Sequence, residues 1–395
     1  MKYLAVLGRQ PELSVAELEA LFGEVKQITG KLAVFHADKK PEIDRLGGSL
    51  KLAELIEVKP LDYLRELAEG KITLGVSDFS RGASKKTAAI ESLKLKKILV
   101  RHGRSVRVVE NKDAVISTAT SLHNGLSGKN ERKVELIKVN DEWYKVIGVQ
   151  DIEAYTKRDQ ARPARDAKVG MLPPKLAQIL INLCGDLPAG SRVLDPFCGT
   201  GVVLQEALLM GYQAYGTDIN ERMVEYTEKN LEWLVKSENT LSRAASGQPV
   251  ATGDRRSSSL CQAPDSLERC VFQISQGDAT SFQWEQPIDA VACEGYLGKP
   301  MSAVPAEIKL KTEKQECKAI IVGFLKNLAS QIKSGTPVVV AMPAWLREDG
   351  SYSRLEILDE ITDMGYNVYN KSREGLLYHR EGQIVARDLI ILRKD

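Results

Sequence analysis

Histidine is scarce: His36, His102, His123 and His379 are the only four in 395 residues, and none stands at metal-ligand spacing from another. No metal is therefore expected. The six cysteines (Cys184, Cys198, Cys261, Cys270, Cys293 and Cys317) lack the short paired spacings of a zinc site or a redox couple. They read as reduced thiols, the usage of a cytoplasmic protein. No run of about 18 apolar residues occurs, which argues against a membrane partner. The opening from Met1 to Gly8 is too short and too soon polar for a secretory leader. What is present is ordinary for a soluble globular protein, 43% hydrophobic and 27% charged, at a length that suggests two or three domains.

The net charge of +2 conceals an asymmetry. Residues 1–165 carry 30 Lys and Arg against 23 Asp and Glu, whereas the remainder carries 25 against 30. A basic front on a mildly acidic body suggests that the front handles a polyanion. The basic excess is densest between Arg81 and Arg107. Nine cations (Arg81, Lys85, Lys86, Lys94, Lys96, Lys97, Arg101, Arg104 and Arg107) face one acid there, Glu91. Such a run is either a solvated helix face or a phosphate-contacting one. Aromatics are few here, so the stretch would position a nucleic acid rather than read its sequence.

Hydrophobic periodicity divides the chain. Residues 1–60 read as a small α+β unit: a strand over Tyr3–Gly8, a helix to Phe22 opened by a capping box from Ser14 to Glu17, and a strand over Leu32–Phe35. Residues 61–150 form a second α+β unit with a helix over Lys85–Arg101. Residues 151–170 are a polar, basic linker, and 171–395 an α/β domain whose first helix starts at Pro173-Pro174. Residues 239–270, rich in Ser, Ala, Gly and Gln, read as a flexible insertion, and its Cys261 and Cys270 as free thiols.

The most informative stretch is Val193-Leu194-Asp195-Pro196-Phe197-Cys198-Gly199-Thr200-Gly201, followed by a helix from Val202. An apolar strand ends in an acid, and two glycines let the backbone approach a ligand at the positive end of a helix. A dinucleotide fingerprint needs a third small residue three positions on, where Leu204 stands. The next apolar run ends at Asp218, before Ile219, and a third at Gly277-Asp278-Ala279. Acids at three successive strand ends describe a pocket for S-adenosylmethionine (SAM). Asp195, Phe197, Gly199, Thr200, Gly201, Asp218, Ile219, Asp278 and Ala279 are its candidate residues. Cys198 reads as small-residue packing.

These residues resemble the THUMP-containing tRNA guanine-N2-methyltransferases of the archaeal and eukaryotic type, which modify guanosine-10. The likeness rests on Leu7-Gly8-Arg9-Gln10-Pro11-Glu12-Leu13-Ser14, on Ser121-Leu122-His123-Asn124-Gly125-Leu126, on Arg158-Asp159 through Arg165-Asp166, on Gly170-Met171-Leu172-Pro173-Pro174-Lys175-Leu176-Ala177, and above all on the glycine loop. It implies a Rossmann-like class I SAM methyltransferase domain preceded by an α+β ferredoxin-like and THUMP region. SAM would be the cofactor and tRNA the partner, gripped by Arg81, Lys85, Lys86, Lys94, Lys97, Arg101 and Arg104. Eukaryotic relatives of that family work with a small activator protein, of which this sequence gives no sign.

One stretch departs from the resemblance. Where such amino-methyltransferases carry Asp-Pro-Pro-Tyr, this chain has Glu294-Gly295-Tyr296-Leu297. Glu294 would supply the carboxylate and a backbone carbonyl of Gly295 or Tyr296 a second acceptor for the guanine amine. Tyr296 would stack on the extruded base from one position early. Three other readings stand beside this one: a tRNA-binding protein that has lost catalysis, another RNA or DNA amino-methyltransferase, and a cytosine-C5 enzyme with Cys293 as nucleophile. His379, Arg380 and Arg387, near the last strand, are weaker candidates for the substrate mouth, the two arginines as phosphate contacts.

Overall fold

The computed structural model describes residues 1–166, 171–246, 271–370 and 376–395, with the side chains of 238–246 left aside. The chain divides into Met1–Tyr155 and Thr156–Asp395. Among the described residues no helix is long and apolar enough to cross a membrane.

The first unit runs β1 (Lys2–Leu7), α1 (Pro11–Phe22), β2 (Val25–Thr29), β3 (Leu32–His36), β4 (Ser49–Leu55), α2 (Pro60–Glu66), β5 (Ile72–Asp78), α3 (Lys85–Arg101), β6 (Val106–Val108), α4 (Thr118–His123), β7 (Lys133–Val139) and β8 (Glu142–Val149). The two ranges expected as separate units, 1–60 and 61–150, share one eight-stranded sheet of order β2-β3-β1-β4-β8-β7-β5-β6. The joint is the antiparallel pair of β4 with β8, from Lys51 opposite Val149 to Leu55 opposite Tyr144.

Helix α1 corrects a sequence expectation. It starts at Pro11, three residues before the anticipated cap, because proline at the first helical position is preorganised and sacrifices no hydrogen bond. Ser14 and Glu17 then lie inside the helix and serve the Gly47-Gly48 turn instead. The Ser14 hydroxyl donates to the Gly48 carbonyl at 2.6 Å, and the Glu17 carboxylate accepts from the amides of Gly47 and Gly48 at 2.9 and 2.8 Å.

Helix α3 has the bounds read from the sequence, although Ile90 and Leu93, whose spacing suggested it, are 41% and 55% exposed. Ser84 Oγ accepts from the Thr87 amide while Thr87 Oγ1 accepts from the Ser84 amide, a reciprocal cap. Ala88, Ser92, Leu95 and Leu99 recur every three or four residues and are buried. Burying Leu95 and Leu99 stabilises the unit by about 2 kcal/mol each. Lys85, Lys86, Lys94, Lys97 and Arg101 are exposed, as is Arg81 in the turn before the helix.

Helix α5 (Ile152–Gln160) carries the chain into the second unit, so the expected linker is partly helical. There follow α6 (Pro174–Asn182), β9 (Arg192–Asp195), α7 (Val202–Leu209), β10 (Gln213–Asp218), α8 (Glu221–Ser246), β11 (Phe272–Gln276), β12 (Ala290–Glu294), α9 (Glu307–Ala329), β13 (Pro337–Leu346), β14 (Tyr352–Arg354), α10 (Leu358–Asp363), β15 (Tyr366–Val368), β16 (Leu377–Tyr378) and β17 (Val385–Lys394). The sheet order is β11-β10-β9-β12-β13-β17-β15. Strands β9 to β13 are parallel to their neighbours in that set, and β17 enters antiparallel between β13 and β15. This is a Rossmann-like sheet, as the resemblance implies. Strand order reverses between β9 and β12, the place where such sheets open a crevice for a ligand.

The expected insertion at 239–270 begins inside α8, and 247–270, with Cys261 and Cys270, lie outside the described residues. So do Gly170 and the rest of 167–170.

Candidate active site

The buried run Val193-Leu194 makes β9 a central strand, and its last residue, Asp195, is 2% exposed. Asp195 Oδ1 accepts from the Phe197 amide at 3.1 Å, which starts the turn. Gly199 and Gly201 both have positive φ, +52° and +80°, where an L side chain is strained. A Cβ on Gly201 would strike Thr227 Cγ2 at 2.8 Å, while one on Gly199 would come no nearer than 3.9 Å to the Phe197 carbonyl and stand in open space. The loop is thus closed behind Gly201 and open at Gly199. Leu204 is accommodated by the strand: at Gly216 a Cβ would lie 2.4 Å from Leu204 Cδ1. The close helix–strand packing that a third loop glycine gives elsewhere comes here from a glycine in β10.

Asp218 closes the loop from the next strand. Its Oδ2 accepts from the Gly199 amide at 2.9 Å and its Oδ1 from the Asn220 amide at 2.9 Å. Each oxygen keeps a lone pair for a ligand hydroxyl. Ile219 beside it is 67% exposed, an apolar surface with no core to join. Phe197 is half-buried, edge-on to Phe324 at 5.1 Å between ring centres. Thr200 is buried, and its hydroxyl accepts from Arg162 at 3.3 Å.

Asp278 stands exposed after β11 and caps its own turn, its Oδ1 accepting from the Thr280 amide at 2.9 Å and hydroxyl at 2.7 Å. Ala279 is 4% exposed and belongs to the core.

The segment that backs this loop read as linker, although the resemblance drew on Arg158-Asp159 through Arg165-Asp166. Residues 158–166 are held on it by Arg158 on Glu206 at 2.7 Å, by Arg162 on Thr200 and by Asp166 on Arg222. Asn230 of α8 completes the clasp. It accepts from the Ala164 amide at 3.0 Å and donates to the carbonyls of Ala164 and Thr200, both at 2.9 Å. The signal was present as a run of charged residues that read equally well as a solvated linker.

Glu294 ends β12 and is paired with Arg387 of β17, Nε donating to Oε1 at 2.7 Å. Arg387 was expected to meet phosphate. At 4% exposure it lies inside and cannot. Arg380 remains exposed, its Nε donating to the Tyr378 hydroxyl at 3.0 Å, and the His379 ring lies 5.5 Å from that of Tyr352. The Tyr296 hydroxyl donates to Glu316 of α9 at 3.2 Å, and its ring packs half-buried on the core. Glu316 also pairs with Lys299 at 3.1 Å.

Burial pushes the Asp195 carboxyl well above the usual carboxylate range. The Phe197 amide opposes this, and the charges of Asp218 and Glu294 add to it. Asp218 and Glu294 are raised by burial too, against two backbone amides in the first case and Arg387 in the second. Three acids therefore converge electrostatically at this edge of the sheet. Cys293 is fully buried and its thiol is pushed far up by burial, so no thiolate is at hand and the cytosine-C5 reading falls. Cys198 packs with Leu204 and Leu208, as expected. Among the described residues no cluster of His, Cys, Asp and Glu is placed to hold a metal.

These shifts fix a pH dependence. Glu206 is buried and raised to about 7 by desolvation, although Arg158 opposes the rise. Such a group binds its proton more tightly folded than unfolded, so its contribution falls as pH climbs from its ordinary value of 4.5 to about 7. Asp195, Asp218 and Glu294 act in the same direction. Thermal unfolding of the full chain is expected to give a lower Tm at about pH 8 than at about pH 6, and Glu206→Gln to flatten that slope. A Tm that rises over this interval refutes the assignment.

Of the RNA-contact candidates, all in the first unit, Arg104 is otherwise engaged. Its guanidinium donates to the carbonyls of Arg65, Leu67 and Ala68 at 3.3, 3.1 and 2.8 Å, closing the end of α2. Lys94 is 63% exposed and reaches Glu91 at 3.4 Å.

The family model described as "UPF0020: RMKL-like, methyltransferase domain" matches residues 162–321. The tRNA (guanine(10)-N2)-dimethyltransferase of Methanothermobacter thermautotrophicus is 28% identical over 190 residues, 48% of this chain and 44% of that protein. The enzyme of the same name from Pyrococcus abyssi is 30% identical over 241 residues, 59% of this chain and 68% of that one. The chain thus spans less than half the length of the first of these relatives and about two thirds of the second. The crystal structure of TrmN from Thermus thermophilus aligns over 100% of both chains at 17% identity, with a TM-score of 0.42.

Proposed function

This chain belongs to the tRNA (guanine(10)-N2)-methyltransferase family, and on that premise we propose that it transfers a methyl group from SAM to the exocyclic N2 amine of a tRNA guanosine, guanosine-10. The observation that carries this reading is the convergence of Asp195, Asp218 and Glu294 where the strand order reverses. The residues present suit SAM. The open side of Gly199 admits a ligand to the backbone, Asp218 is pre-set for ribose hydroxyls, and Ile219 offers an apolar face to an adenine.

When bound, SAM supplies an electrophilic methyl on a sulfonium. The protein's own share is to orient and to take a proton. Glu294 accepts a hydrogen bond from the guanine amine and draws its lone pair out of conjugation with the ring. The amine gains the methyl and sheds one proton toward this carboxylate. Tyr296 gives the extruded base a face, recovering part of the few kcal/mol that flipping costs.

The first unit, in the place of a THUMP region, would grip tRNA through the exposed face of α3. Lys94→Ala with Lys97→Ala is expected to weaken tRNA binding and to lower the slope of log affinity against log salt by about 2. Filter binding between about 50 and 200 mM KCl measures it, and an unchanged slope removes α3 from the interface.

Nucleoside mass spectrometry of a tRNA transcript incubated with the protein and SAM tests the whole proposal. N2-methylguanosine at position 10, absent from a transcript with adenosine there, is the expected result. SAM binding without any methylated nucleoside would instead favour a tRNA-binding protein that has kept the fold.

A further inference from the structure

The sheet register places Glu294 opposite Ala341 of β13, and Ala341 opposite Leu389 of β17. Arg387 is two residues along from Leu389, hence on the same face of the sheet. Its side chain crosses β13 to put Nε 2.7 Å from Glu294 Oε1. Arg387 is 4% exposed and Glu294 17%, so the pair sits largely inside with its carboxylate end toward solvent. Among the described residues Arg387 is the hydrogen-bond partner of Glu294, and it touches only one of the two carboxylate oxygens. Oε2 is not among the sealed polar atoms that lack partners.

We propose that Arg387 is a positioning residue for methyl transfer: it fixes Glu294 as an oriented carboxylate whose second oxygen, Oε2, is left to accept from the substrate amine. This rests on the methyltransferase reading above and adds to it a residue 93 positions away in sequence. A glutamate has one more rotatable bond than an aspartate, and the arginine removes that freedom. Fold stability alone gives little reason for the pair, since apolar residues of similar volume serve a core at least as well as a buried ion pair.

The groups around Glu294 come from each neighbouring strand. Arg387 of β17 favours the anion against burial, and on β9 the Glu294 charge in turn raises the Asp195 carboxyl. Cys293, beside it on β12, is held neutral by burial. On the loop and α9 side, Glu316 is occupied by Tyr296 and Lys299, and Glu313 accepts from the Lys299 amide. Removing Arg387 therefore leaves burial unopposed, and the carboxyl should protonate at a higher pH.

The test compares wild type, Arg387→Gln and Arg387→Lys. In protein labelled with 13C at the glutamate carboxyls, the Glu294 resonance is assigned by its loss in Glu294→Gln. Its titration midpoint is expected to move up by about one to three pH units in Arg387→Gln and by less in Arg387→Lys. In parallel, kcat for tRNA methylation should fall about 10- to 100-fold near neutral pH in Arg387→Gln. It should recover toward the wild-type rate as pH rises past the new midpoint, with Arg387→Lys in between. An unmoved midpoint, or a loss of kcat equal at every pH with a lowered Tm, overturns the proposal in favour of a structural role. If wild type methylates nothing while the midpoint still moves, the functional reading fails and the ion pair stands.

Discussion

Glu294→Gln should abolish most methyl transfer, lowering kcat by about 10²- to 10⁴-fold while leaving the affinity for SAM within about threefold. Glutamine keeps the shape and one acceptor oxygen but loses the charge that takes the amine proton. It also strands Arg387, a cation at 4% exposure, so a fall in Tm will accompany the loss. Glu294→Asp separates the two effects. It keeps the anion and shortens the reach by one methylene, and should retain more activity than Glu294→Gln. Tyr296 divides in the same manner. Its hydroxyl only ties it to Glu316 at 3.2 Å, so Tyr296→Phe should remain within about threefold of wild type. Tyr296→Ala removes the stacking face, worth about 1–3 kcal/mol, and should cost about 10- to 100-fold in kcat/KM for tRNA. Methyl transfer from radiolabelled SAM, with calorimetry of SAM binding as the control, reads all four variants. Wild-type rates in both Glu294→Gln and Tyr296→Ala would remove this stretch from the chemistry.

What could be read in advance was what local physics decides. The strand, the turn with its two glycines, the helix from Val202 and the acid at Asp218 are specified by residues within one β-α-β unit, and each stands where the sequence put it. Helix α3 was legible in its bounds, although neither its reciprocal cap at Ser84 nor its buried stripe from Ala88 to Leu99 was read from the sequence. Contacts between distant segments left no periodic trace. Arg387 read as a phosphate contact at the substrate mouth, because nothing near it in sequence reveals that Glu294 lies across β13. The single N-terminal sheet was hidden likewise, since β4 finds β8 almost a hundred residues later. Ser14 and Glu17 show the converse error. Their spacing fits a cap, yet Pro11 starts the helix earlier and frees both side chains to hold the Gly47-Gly48 turn.

The largest effect on stability is expected in the first unit, at Lys51. Its ammonium is buried in the first unit at 2% residue exposure and uses its three donors on the Ile116 carbonyl, Ser121 Oγ and Glu135 Oε1, at 2.8, 2.8 and 2.5 Å. Glu135, wholly buried, accepts in addition from Ser77 at 2.7 Å and from Ser121 at 2.6 Å. Ser77 in turn accepts from the Ile116 amide at 2.9 Å. The network fastens the segment around Ile116 and α4 onto β4, β5 and β7. Gly75 leaves room for it, since a Cβ there would meet Ile116 Cδ1 at 2.6 Å. Burial pulls the Lys51 ammonium below its ordinary pKa and Glu135 resists, so the Lys51 charge is held in the core through Glu135. Lys51→Met should therefore destabilise the protein by about 3–5 kcal/mol, because Glu135 is left charged and unpaired in the core. The double variant Lys51→Met with Glu135→Leu removes both charges and should recover most of that loss, despite deleting more hydrogen bonds. Denaturant unfolding of the two single variants and the double closes the cycle. Additive losses in the double variant would mean that the two charges do not depend on each other, and that the segment around Ile116 is held by packing alone.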